Sequence, residues 1–368
     1  MAGQVLDLDS LLAPLAGGDG AGVDLRQDWS PGSAYQTLRD ARSDARAEER
    51  ARDAEGDADA PPAEGWKVIR RVAEQAIRES SKDFEVAAWL AEALVRIEGL
   101  AGLTDAAELL SGLLERYWEN GFPRPDEDGL EGRAAPLGGL SGAVADGTLM
   151  QPLRRTPLFR RADGTLLPLY RYEQALEAAG LSDEAKRQAR WAAGVPKLDQ
   201  IEAEARLDQG RLRATAAAAR AARAAWARFE QRLSDRFGRD APSTRRVAEV
   251  LDRIAAVAAR LLGGEAAAEE AAAAAAVGDA APAAAAAGGA GPVPAGAIAS
   301  REEALRQLER IAEFFRRTEP HSPLGYTLQD AARRGRMPLP ELLAEVLADE
   351  TARTAMLTAL GIRPEQPG

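Results

Sequence analysis

One histidine, His321, and no cysteine in 368 residues narrow the covalent chemistry open to this chain. Thiolate nucleophiles, disulfides and cysteine-ligated metals are excluded, and no cluster of histidines can hold a transition metal. A Ser–His–acid relay would have to use His321, with Ser322 as nucleophile and Glu319 as orienting acid, all within Glu319-Pro320-His321-Ser322-Pro323. Such a relay needs a concave site and an oriented base. A run bracketed by two prolines reads instead as a rigid turn between helices, with Ser322 as cap and Pro323 as the first residue of the next helix. Lys82 beside Asp83 is the other pair that invites a chemical reading, and at the head of a strongly helical stretch it reads as a helix start and a surface pair. Asp126-Glu127-Asp128 lacks the spacing of a calcium loop. No GxxxxGK[ST], GxGxxG or GxSxG run occurs. The residues thus predict no catalytic group, no cofactor, no metal and no small-molecule substrate.

The elements that would position these residues are almost all helical. Asp83 or Ser81 can cap a helix whose apolar positions Phe84, Ala87, Leu90, Ala91, Leu94 and Ile97 recur at spacings of three, four and one. Gly99 closes it, and Thr104 can cap a second helix bearing Leu109, Leu110, Leu113, Leu114, Tyr117 and Trp118, stopped by Gly121 and Pro123. The short link predicts an antiparallel hairpin of helices. Ser33 and Gln36 form a capping box before a helix from Ala34 to about Arg50, and Trp66, Ile69, Val72, Ala76 and Ile77 mark the next. Asp163-Gly164 between Leu158-Phe159 and Leu166–Tyr170 suits a tight hairpin, the one strand pair expected. The longest helix runs from about Gln209 to Phe237, its stripe being Leu212, Ala216, Ala219, Ala222, Trp226, Phe229, Leu233 and Phe237. The fold class is all-α, built of helical bundles with at most a small β-hairpin near residues 156–171.

Composition divides the chain. Residues 1–160 hold 18 basic against 29 acidic residues, and 161–263 hold 19 against 14. The acidic first part argues against general nucleic-acid binding. The basic middle keeps open a helical adaptor that binds nucleic acid, although its arginines are dispersed around the helices without exposed aromatics between them. Residues 264–299 are Ala, Gly and Pro with almost no anchoring side chain and read as a flexible linker with a reach of about 30–36 Å if coil. Helices resume at Ser300, where Ala304, Leu308, Ile311, Ala312 and Phe315 share a face, followed by short helices over 323–334, 340–348 and 351–360. Four parts are expected: 1–160, 161–263, 264–299 and 300–368. The N-terminus lacks a basic signal-peptide head, and no stretch approaches the roughly 20 apolar residues of a membrane span.

Certain residues carry a resemblance. Lys82-Asp83 after Ser81, Trp89, Arg96 with Gly99, Tyr117-Trp118, Pro123 and Arg133, preceded by Pro14, Gly22, Asp24-Leu25 and Trp66, resemble the ImpA-related N-terminal domain of the TssA family of bacterial type VI secretion systems over roughly residues 10–160. The C-terminal course through Phe315 and Glu319-Pro320-His321-Ser322-Pro323 is similar to the C-terminal domain of the shorter, baseplate-associated TssA class. The resemblance implies a cytoplasmic scaffold associated with the inner-membrane-docked apparatus. It implies a homo-oligomeric ring formed by the C-terminal part, through Leu308, Ile311, Phe315 and the 319–323 turn. The implied partners are baseplate, sheath, tube and membrane-complex proteins, and no nucleic acid. It makes the N-terminal signature a fold signature, not a catalytic set.

Overall fold

In the computed structural model the described residues are 4–55, 61–127, 129–263, 301–318, 324–337, 341–342 and 345. They divide into two units, Met1–Ala280 and Ala281–Gly368. The first is built from α1 (Leu8–Leu12), α2 (Ala34–Ala54), α3 (Gly65–Glu79), α4 (Phe84–Arg116), α5 (Glu131–Gly139) and α6 (Met150–Arg154), then the hairpin β1 (Pro157–Arg160) and β2 (Leu166–Pro168). After it come α7 (Leu169–Gly180), α8 (Glu184–Ala192), α9 (Leu198–Ala205), α10 (Gln209–Phe237) and α11 (Arg245–Leu262).

The organising element is α4. Asp83 caps it, its carboxylate accepting from the Glu85 and Val86 amides. Its residues are buried on nearly every side, as expected of a helix apolar all round. At Gly99 the backbone swings to φ +61°, ψ −134°, a conformation that side-chain-bearing residues rarely adopt. The chain returns to helix at once but runs back: a Cβ on Gly102 would meet Leu94 O, and the Phe84 amide donates to Phe122 O at 2.8 Å, so the two halves of α4 form the expected antiparallel pair of helices with Gly99 as the turn. Thr104 therefore does not cap. It sits inside the second half, its hydroxyl donating to the Leu100 carbonyl one turn back at 2.9 Å. A cap needs a residue outside the helix, and Gly99 leaves no such residue free near Thr104.

α3 and α10 pack on α4, and α11 packs on α10. Every residue of the expected α10 stripe, from Leu212 to Phe237, is buried. Trp226 is sealed beneath α11, with its indole N–H donating to Thr244 O at 3.2 Å. Trp118, just past α4, meets Phe237 edge-on at 4.9 Å between ring centres. One continuous core runs from Leu6 to Leu262, spanning both sides of residue 160. The hairpin forms about Asp163-Gly164 as expected: Gly164 has φ +87°, and the Asp163 carboxylate accepts from the Thr165 amide and hydroxyl. Helix α6 lacked a sequence signal, because its five residues are too few to show a period.

The second unit contains α12 (Arg301–Thr318) and α13 (Leu324–Arg336). A Cβ on Gly325 would meet the Arg316 side chain and Ala312 O, and one on Gly335 would meet the Leu305 side chain. The head of α13 therefore lies by the end of α12 and its tail by the start, an antiparallel pair with glycine at both close approaches. Leu305, Ala312 and Ala332 are buried, whereas Leu308 and Phe315 are half-buried and Ile311 is 45% exposed. Ile311 is thus not in the core of this pair, contrary to the shared-face expectation: the close approach of Gly325 selects Ala312, and Ile311 lies one residue, about 100°, around the helix. The turn residues Glu319, Pro320, His321, Ser322 and Pro323 lie outside the described residues, as do the linker and the expected helices over 340–348 and 351–360.

Candidate functional site

The signature residues Lys82, Asp83, Trp89, Arg96, Gly99, Tyr117, Trp118, Pro123 and Arg133 gather on and around α4, and the ionisable ones act as pins. Lys82 is fully buried, against the expectation of a surface pair. Its ammonium donates to Leu11 O at 2.7 Å and Ile77 O at 2.9 Å and lies 5.6 Å from the centre of the Tyr117 ring. It thereby joins α1 to the end of α3, taking a carbonyl that the last helical turn leaves without a partner. No carboxylate bonds to it, and burial pushes its pKa down to about 8. Tyr117 adds a second tie, its hydroxyl donating to Leu12 O at 2.9 Å.

Asp83 is also fully buried. Besides capping α4 it receives Arg26 at 2.7 and 3.3 Å. Arg26 also bonds Glu85 at 2.6 Å and Asp24 at 3.0 Å. Burial raises the Asp83 carboxyl against the pull of Arg26. Burial would lower Arg26, but Asp83 and Glu85 outweigh it and hold the guanidinium above its ordinary value. Tyr35 donates to Glu85 at 3.0 Å and stacks near Trp89 at 5.3 Å. Arg26 carries no local signal, because its partner is 57 residues away.

Arg96 lies 4.1 Å over the Trp66 ring and bonds Glu49 at 2.8 and 3.1 Å, while the Trp66 N–H reaches the same carboxylate at 2.7 Å. Arg133 is buried without a carboxylate. Its fork donates to Pro123 O at 2.6 Å, Gly121 O at 2.8 Å and Trp118 O, and it lies between the rings of Phe84 and Trp118, 5.1 and 5.0 Å from their centres. Burial lowers its pKa. Three convergent carbonyls suit the planar guanidinium as no other side chain.

A groove of about 970 Å³ opens beside the Gly99 turn, its lining including Val95, Gly99 and Leu100 of α4, Leu166 of the hairpin, Tyr170 of α7 and Ala214 of α10. Its charged side chains are each already paired: Glu49 with Arg96, Glu98 with Arg70, Arg52 with Glu48, Arg155 with Asp53 and Arg211 with Asp208. None is left poised as an acid or base. The groove can accept an apolar surface but holds no set of groups for bond chemistry.

Three comparisons bear on this arrangement. The family described as "ImpA, N-terminal, type VI secretion system" matches residues 12–142, which contain the whole signature. The chain is 32% identical over 353 residues to a curated protein of Pseudomonas aeruginosa, "Type VI secretion system component TssA1", covering 94% of this chain and 96% of that one. The chain belongs to the TssA family. A solved structure from Burkholderia cenocepacia, the N-terminal domain of a TssA component including its ImpA_N region, superposes with a TM-score of 0.58 at 26% identity, covering 71% of this chain and 96% of that one. The pins found here thus lie within the stretch by which the TssA family is recognised. Among the described residues no helix is long and apolar enough to cross a membrane.

Proposed function

We propose that this chain is a non-enzymatic assembly component of a type VI secretion system, an oligomeric scaffold at the baseplate that helps initiate or guide growth of the tail sheath and tube. The observation that carries this reading is family membership over 94% of the chain, in a molecule whose signature charges tie chain segments together. The resemblance carried by the run Glu319–Pro323 supports the shorter, baseplate-associated class. We divide it into a recruiting domain (1–160), a middle region (161–263), a tether (264–299) and a ring-forming domain (300–368). A ring that presents several recruiting domains on tethers raises their effective concentration at baseplate, sheath, tube and membrane-complex partners, and so strengthens weak contacts without new ones. Partially exposed Ile311 on the C-terminal helix pair is surface that a second copy can cover. Light scattering on the full chain tests the scaffold: a ring-sized particle is expected, and a monomer at micromolar concentration overturns it. Ile311→Asp should reduce assembly while leaving tryptophan emission unchanged, since all six tryptophans precede residue 264.

No observation favours the nucleic-acid reading of the basic middle. Several of its arginines are engaged with the acidic first part of the same chain: Arg228 with Glu108, Arg232 with Glu115, Arg246 with Asp146, and Arg236 with the carbonyls of Leu114 and Glu115. The excess of positive charge joins the two parts of one core.

A further inference from the structure

Among the described residues, several exposed arginines of this unit lack a partner, but one row on α2 holds a half-buried arginine that lacks one too. Arg42, Arg46 and Arg50 recur every four residues on α2. Four residues turn the helix by about 400°, so the row drifts outward by roughly 40° per step. It starts one step beyond buried Leu38, and Arg42 and Arg46 are half-buried while Arg50 is exposed. Arg42 is held by Glu92 at 2.7 and 3.2 Å and lies 5.6 Å over the Trp89 ring. Arg46 and Arg50 form no ion pair or hydrogen bond with any described residue.

The carboxylates close to the row are taken. Glu92 is gripped by Arg42, Glu49 by Arg96 and the Trp66 indole, and Glu48 by Arg52. Asp44 points to the other side of α2, about 160° from Arg46. Burial lowers the Arg46 pKa, and Arg42, Arg96 and Arg50 push the same way against Glu92. Like charges four apart on a helix repel, and a half-buried guanidinium without a partner loses hydration for nothing gained inside the fold. This happens on a part of the chain with 18 basic against 29 acidic residues, where among the described residues no carboxylate is placed to quench Arg46 or Arg50.

We infer that the Arg46–Arg50 face of α2, flanked by Arg42 over Trp89 and by Arg96, is a docking surface for an acidic segment of a partner protein, whose carboxylates complete the two unpaired guanidinium groups. Planar guanidinium forks match carboxylates in a bidentate fashion, and Arg46 supplies a desolvated contact at the centre with Arg50 at the rim. The inference deepens the scaffold reading by naming the chemistry of a recruited partner. It is tested separately, because peptide binding is read whether or not the chain forms a ring.

The test uses the full-length protein and a fluorescein-labelled octaglutamate peptide in fluorescence anisotropy at 50 mM NaCl, with a 12-base-pair DNA duplex as comparison. The wild type is expected to bind the peptide and to lose it as salt rises. Arg46→Gln should weaken binding about tenfold and Arg46→Gln with Arg50→Gln should abolish it, while Arg213→Gln on exposed α10 surface should leave it unchanged. Thermal denaturation supplies the second readout. An arginine kept for a partner gives a Tm in Arg46→Gln that is equal or higher, whereas a lowered Tm makes Arg46 a structural cation and overturns the inference. It is also overturned if the wild type ignores the peptide, if Arg46→Gln binds as the wild type does, or if the duplex is preferred over the peptide.

Discussion

Replacing Lys82 by Met separates the cost of a buried charge from the value of its hydrogen bonds, because the two respond differently to pH. The Lys82 pKa falls from 10.5 to about 8 on folding. Below pH 8 both folded and unfolded chains carry the proton, and stability does not vary with this group. Between pH 8 and 10.5 the unfolded chain still binds a proton that the folded chain has released, so stability rises with pH in that window. A shift of this size corresponds to about 3 kcal/mol in full, of which about 2.5 kcal/mol is developed between pH 7 and 10. The variant lacks this term but leaves Leu11 O and Ile77 O without their donor, at about 1–3 kcal/mol each, partly offset by removal of the buried cation.

Urea denaturation followed by tryptophan emission reports the first unit alone, as all six tryptophans precede residue 264. Wild type and Lys82→Met are compared at pH 7, 8, 9 and 10. Tyr35, pushed up to about 12 by burial and Glu85, acts in the opposite direction, but it is common to both proteins and cancels in the difference. The stability difference should be nearly flat from pH 7 to 8 and then widen in favour of the wild type by about 2.5 kcal/mol by pH 10. A difference that stays constant within 0.5 kcal/mol, an order-of-magnitude limit of such fits, would show that Lys82 keeps its proton in the fold and that burial does not govern its titration.

Two further perturbations probe the neighbouring pins. Arg133→Leu strands the carbonyls of Trp118, Gly121 and Pro123 and should lower stability by about 3–5 kcal/mol, with Arg133→Lys recovering little because an ammonium lacks the planar fork; a loss below about 1 kcal/mol in urea titration refutes the pin. Gly99→Ala meets no atom within 4 Å, so its cost is conformational alone, about 1–3 kcal/mol from forcing φ +61°, ψ −134° on a residue with a Cβ; an unchanged denaturation midpoint would mean the turn between the two halves of α4 relaxes.

Local pattern carried the elements and failed on the contacts. The α10 stripe was legible because eight apolar residues recur at helical spacing, and burial of one side follows from that period whatever lies opposite. The hairpin was legible because Asp163-Gly164 has few other uses between two apolar runs. Gly99 was legible as the turn of a helical hairpin, because two apolar helical stripes separated by so short a link have room only to fold back on each other. Lys82-Asp83 reads as surface because residue type sets the prior for exposure, and the partners that reverse it, Leu11 O and Arg26, lie 71 and 57 residues away. The row Arg42-Arg46-Arg50 is visible in the sequence as a spacing of four. Nothing local separates its paired member from its unpaired ones.

That separation is where the fold bears on function. A recruiting surface needs a rigid support, and this unit obtains rigidity from cations aimed at carbonyls and carboxylates deep inside it: Lys82 joins α1 to α3, Arg26 fixes the loop before α2 to the head of α4, and Arg133 clamps the turn after α4. Each is satisfied internally and so has nothing to offer a partner. The middle region commits part of its positive charge to the first part through Arg228, Arg232 and Arg246. Unpaired guanidinium on α2 stands against this background of internal pairing. A chain able to quench Arg26 with three carboxylates could have quenched Arg46 with one acidic residue on a facing helix. Leaving it open on a braced helix keeps a desolvated positive contact whose carboxylate must come from another molecule.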